Sequence, residues 1–108
     1  MLDLVASFLR KEGFVVEEAS SGTELLVLTD RLQPDVIVTD VHMPGLSGLA
    51  VLSYIKQCHS PVPVILMSGF ATECLRESAR ASGAVGVLAK PFTTLELREL
   101  VARHVRND

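Results

Sequence analysis

The chain has 108 residues, which fits one domain able to bury a core without disulfide staples. With 48% apolar and 21% charged residues it reads as soluble and globular; no apolar run approaches the roughly 20 residues of a membrane span, and no signal peptide opens it. A net charge of −3 and a pI near 5.5 argue against a nucleic-acid surface. Residues 1–12 carry Leu2, Val5, Phe8 and Leu9 at helical spacing, and Gly13 stands where a left-handed stop belongs. The chain therefore opens inside a helix. Residues 14–18 read as a short strand that turns polar, and Ser21-Gly22-Thr23-Glu24 has the form of a capping box. The helix it starts presents Leu25, Leu26, Leu28 and Leu32 as a buried stripe and is closed by Pro34.

Residues 36–39 are β-branched and apolar on both faces, which predicts a central parallel strand with Asp40 at its carboxyl end. The turn-rich Pro44-Gly45-Leu46-Ser47-Gly48 stretch leads into a helix carrying Leu49, Leu52, Tyr54 and Ile55 that ends near Cys58 and His59. Pro61 and Pro63 flank the entry to a second apolar run, residues 64–67, which ends on Ser68-Gly69. A polar helix over residues 73–82 is stopped by Gly83. A third run, residues 85–89, ends on Lys90-Pro91-Phe92. Thr93-Thr94-Leu95-Glu96 is a second capping box, opening a helix with Leu97, Leu100, Val101 and Val105 inward and Arg103, His104 and Arg106 near its end, where positive charge suits the dipole. Cys58 and Cys74 lack metal or redox spacing and read as buried or half-buried thiols in a reducing cytoplasm.

Alternating helices and strands give αβαβαβαβα, an α/β fold with a doubly wound parallel sheet covered on both sides. Parallel strands place their carboxyl ends at one edge, so Asp40, Ser68 and Lys90, distant in sequence, converge there. Taken singly, each has an ordinary explanation as a turn carboxylate, a turn hydroxyl or a surface lysine. Together they suit a transferred phosphoryl group. The carboxylate can attack phosphorus, while the hydroxyl and ammonium hold the oxygens whose charge needs stabilising.

These marks resemble the response regulator receiver domain of two-component signalling. They are Asp40 with Met43-Pro44 and Ser47-Gly48, then Met67-Ser68-Gly69, then Lys90-Pro91-Phe92. The resemblance covers essentially the whole chain and implies a flavodoxin-like receiver fold over residues 1–108. It implies that Asp40 is the phosphoacceptor for a sensor histidine kinase or phosphotransfer protein, that Ser68 is the switch hydroxyl and that Lys90 contacts the phosphoryl group. It also implies Mg²⁺, held by Asp40 and the backbone carbonyl of His42, and a cytoplasmic signalling protein that is not itself an enzyme.

Two departures stand out. Receivers begin with a strand that lies in mid-sheet and ends on an acidic pair completing the metal site; here the chain starts in the first helix, and Asp3 is a poor substitute. The first strand is thus missing, as from a late start, Mg²⁺ is expected to be weakened or lost, and the open groove invites rearrangement, an N-terminal extension, a homodimer or a strand-exchanged dimer. Val87 stands where receivers usually carry an aromatic that swings inward, so signalling through the family's fourth helix, fifth strand and fifth helix is expected to be altered. His42 and Phe70 flank the site and are candidates to govern water access, although a solvated loop histidine is the better account of the former. The principal reading is a phosphoacceptor that switches a partner-binding surface, for an output domain or protein target, without nucleic acid or membrane contacts of its own. The alternative is an unphosphorylated receiver-like interaction or dimerisation module. An aspartate-nucleophile phosphatase wants a second Asp where His42 stands.

Overall fold

A computed structural model describes residues 2–42, 46–58 and 61–105, without the side chains of residues 2 and 3. Five helices alternate with a three-stranded sheet among the described residues: α1 (Leu2–Lys11), α2 (Gly22–Leu32), β1 (Ile37–Asp40), α3 (Gly48–Cys58), β2 (Val64–Ser68), α4 (Glu73–Ala81), β3 (Gly86–Ala89) and α5 (Thr94–His104). The strands are parallel in the order β1-β2-β3, with Asp40 opposite Met67 and Ser68 opposite Ala89. Pro63 immediately precedes β2 and supplies its carbonyl to the Ile37 N–H, so its missing donor costs the sheet nothing.

All five residues of β2 are buried, because strand alternation sends them to two separate cores. Val64 and Leu66 pack with Ile37, Val51, Leu52 and Ile55 beneath α2, α3 and α4. Ile65 and Met67 pack with Val5, Leu9, Leu97 and Val101 beneath α1 and α5. Helices thus cover both faces, as a doubly wound sheet requires.

Helix ends follow the sequence closely. Ser21 Oγ accepts the Glu24 N–H at 3.1 Å, while the returning Glu24 carboxylate takes the N–H of Ser20 and not that of Ser21. Thr72 caps α4 on Leu75, and Gly13 and Gly83 sit at φ values of 98° and 104°, the left-handed region that glycine enters without strain. At α5 both arms of the capping box form: Thr93 Oγ1 accepts the Glu96 N–H and the Glu96 carboxylate accepts the Thr93 N–H. Thr93→Ala removes one arm and is expected to lower stability by about 1 kcal/mol in urea denaturation; Thr94→Ala, one position along, should leave the midpoint in place.

Four expectations are corrected. Residues 14–18 form no strand, because a strand exists only through a partner's ladder and none of the described segments lies close enough on either side. For the same reason β1 is not central among the described residues; β2 is, and β1 is paired only on one side. Leu32 is exposed, since the flank of α2 that carries it looks onto the open groove beside β1. Cys58 and Cys74 are both exposed, on the outer faces of α3 and α4. His59 and Arg106 lie outside the described residues.

Candidate functional site

The site forms where the carboxyl ends of the three strands meet. The Val41 N–H donates to the Met67 carbonyl at 2.9 Å and the Lys90 N–H to the Ser68 carbonyl at 2.8 Å, so the chain leaves β1 and β3 with its backbone still tied to β2. The Gly48 N–H donates to the Val41 carbonyl at 2.7 Å, tying the start of α3 to the end of β1. Side chains at this edge therefore stand on anchored backbone.

Lys90 reaches across from the end of β3 and its Nζ donates to Asp40 Oδ1 as a direct ion pair. Both side chains are mostly shielded from water, which strengthens their attraction relative to an exposed pair. Ser68 is buried, and its Oγ accepts the Phe70 N–H at 3.0 Å, bracing the turn after β2. A hydroxyl has one donor and two acceptor positions, so this bond leaves its proton unused. The structure thus puts Asp40 and Lys90 in contact and seats Ser68 on the strand between them. The His42 side chain points to solvent, and Phe70 is 76% exposed beside the site. Val87 is half-buried against the core beneath α2, α3 and α4. Met43, Pro44 and Gly45 lie outside the described residues, and so does the side chain of Asp3.

Sequence reasoning missed two features here. Gly48 lies so close to the backbone of Asp40 and Val41 that no side chain fits, and the one signal for it was its place in the Ser-Gly pair after the acidic residue. Arg76 on α4 donates to the Val87 carbonyl at 3.2 Å, holding β3 to the helix; nothing in the sequence marks that contact.

Among the described residues no acidic cluster stands ready for a hard divalent cation. Mg²⁺ wants oxygen ligands in octahedral array, and among the described residues no three of His, Cys, Asp or Glu come together. Asp40 is the carboxylate at this edge, and one of its oxygens is already held by the Lys90 ammonium.

The family model described as "Response regulator receiver domain" matches residues 1–102. The DNA-binding transcriptional regulator NtrC of Salmonella typhimurium is 38% identical over 93 residues, 86% of this chain and 20% of that protein. The sporulation initiation phosphotransferase F of Bacillus subtilis is 26% identical over 102 residues, covering 94% of this chain and 82% of its own. Among solved structures, the receiver domain of NtrX from Brucella abortus superposes with a TM-score of 0.91 at 30% identity, covering 98% of this chain and 90% of that one. The chemotaxis protein CheY4 of Vibrio cholerae gives 0.88 at 27% identity over 94% of this chain and 87% of its own. The chain spans about a fifth of the length of NtrC. An acid and an amine in contact at the carboxyl edge of a parallel sheet, on a chain matched nearly end to end by one family model, place this protein in the response regulator receiver domain family.

Proposed function

We propose that residues 1–108 act as one receiver unit in which Asp40 accepts a phosphoryl group from a histidine kinase or phosphotransfer protein. The observation that carries this reading is the contact between Asp40 and Lys90 at the strand edge. Asp40 Oδ forms the new O–P bond as the P–N bond of a phosphohistidine breaks, and the leaving imidazole takes up a proton. Lys90 then exchanges its carboxylate partner for a phosphoryl oxygen, and the Ser68 hydroxyl donates its proton to another. Breaking the Lys90–Asp40 pair while recruiting Ser68 changes the turn that Ser68 braces through Phe70. That couples the site to α4 and β3, whose surface with α5 is the proposed partner-binding face for an output domain or protein target. The unit is proposed to work in the cytoplasm, and its affinity for Mg²⁺ is proposed to be weak because the acidic complement is absent from the described residues.

That same absence favours a second reading, a receiver-fold interaction module that is not phosphorylated. Incubation with a small phosphoramidate, followed by intact mass, separates the two. The phosphoacceptor reading expects one added phosphoryl per chain, lost in Asp40→Ala; a parent that stays unmodified with and without Mg²⁺ overturns it.

A further inference from the structure

Arg76 and Arg80 lie one turn apart on α4, so both guanidiniums stand on the same flank of that helix. That flank borders a pocket of about 200 Å³ whose remaining walls are Ala84, Val85, Gly86 and Val87. A Cβ on Gly86 would meet Leu100 of α5, so alternation along the strand turns Val85 and Val87 the other way, toward α4. Val85 is 36% exposed, which leaves apolar surface open beside two cations. Backbone bonds hold the walls in place: the Gly83 N–H donates to the Arg80 carbonyl at 3.0 Å, the Ala84 N–H to Ala79 at 2.9 Å and the Val85 N–H to Val64 at 2.9 Å. The Arg76 Nη1 bond to the Val87 carbonyl, at 3.2 Å, uses one of five guanidinium donors and fixes where the others stand. Among the described residues no carboxylate pairs with either arginine, although Glu73 and Glu77 each precede one of them by three residues on the same helix.

We infer that this pocket binds a small organic acid, one carboxylate on a compact apolar body. Two guanidiniums one turn apart present the forked donors that a carboxylate accepts in pairs. Val85 and Val87 supply an apolar wall that a bare inorganic anion does not use. Arg76 is half-buried, which strengthens its pull on an anion relative to a fully exposed cation. The volume admits a ring or a short chain and falls below the range of larger ligands and cofactors. An occupant bridges α4 and β3 and stabilises the domain by mass action. Asp40, Ser68 and Lys90 take no part in the binding, so the inference stands apart from the phosphoacceptor reading.

The test titrates the full chain with benzoate and follows backbone amide shifts by NMR. Expected are saturable one-to-one binding with a dissociation constant on the order of 1 mM or tighter, shifts centred on Arg76, Arg80 and residues 84–87, and a raised melting temperature. Benzamide keeps the shape and loses the charge, and should bind about tenfold more weakly or worse. Inorganic phosphate keeps charge and loses the apolar body, and should also bind more weakly than benzoate. Arg80 is exposed and makes no side-chain hydrogen bond among the described residues, so Arg80→Gln should keep the parental melting temperature without ligand and lose about tenfold in benzoate affinity. Asp40→Ala should bind benzoate as the parent does. Four results overturn the inference: no saturation, benzamide or phosphate binding as tightly as benzoate, parental affinity in Arg80→Gln, or shifts centred away from residues 84–87.

Discussion

Gly48→Ala is expected to destabilise the domain by about 1–3 kcal/mol and to abolish phosphodonor labelling of Asp40, although residue 48 bears no functional group. A Cβ at this position collides with the carbonyl oxygen of Asp40 and stands 2.8 Å from Val41 Cα. Both obstacles are backbone, at the point where β1 ends and the Gly48 N–H bonds back to Val41. A flexible side chain could swing aside, as Leu100 can for a Cβ at Gly86; the end of β1 can move only by shifting the carboxylate that Lys90 holds. Gly69→Ala is the matched control, since a Cβ there meets nothing within 4 Å and Gly69 follows Ser68 directly. Its urea midpoint should stay within about 0.5 kcal/mol of the parent. A Gly48→Ala protein with parental midpoint and labelling would mean that the start of α3 moves freely away from the end of β1 and that the anchored site is not needed.

The parts of this molecule that the sequence made legible are those governed by a residue and its immediate neighbours. The capping Ser21 and Thr93, the glycine stops and the two apolar runs ahead of Ser68 and Lys90 all depend on local backbone chemistry, and each lies where its pattern put it. The meeting of Asp40 with Lys90 followed from one further step, that parallel strands end at the same edge. Strand formation at residues 14–18 was not legible in this way. Phe14, Val15 and Val16 have the β-branched and aromatic character of a strand, yet Val15 is 96% exposed because pairing depends on a neighbour that the segment's own residues do not specify. Exposure of Cys58 and Cys74 likewise depends on which way α3 and α4 are turned about their axes, something two isolated thiols cannot report. The tight seat of Gly48 and the reach of Arg76 to Val87 belong to the same class, contacts between different elements that neither segment's own pattern specifies.

Truncating Leu66 to alanine is expected to lower stability by about 2–5 kcal/mol, a large share of the roughly 5–15 kcal/mol that holds a domain of this kind folded. Leu66 lies in mid-sheet, opposite Thr39 on one ladder and Val87 on the other, and its side chain is fully enclosed by the core under α2, α3 and α4. Ladders on both sides fix the backbone, so the surroundings cannot collapse into the space and the cavity remains. Val38→Ala offers the sharper comparison, because Val38 is half-buried and its backbone faces the groove, where truncation removes methyl groups that water already reaches. Its cost should fall near 1 kcal/mol. Urea midpoints at unchanged slope measure both. If Val38→Ala proved as damaging as Leu66→Ala, the groove beside β1 would be filled in solution, and the added burial would have to come from whatever fills it. With the groove open, the ratio of the two losses reports how much of the sheet's stability rests on β2 alone.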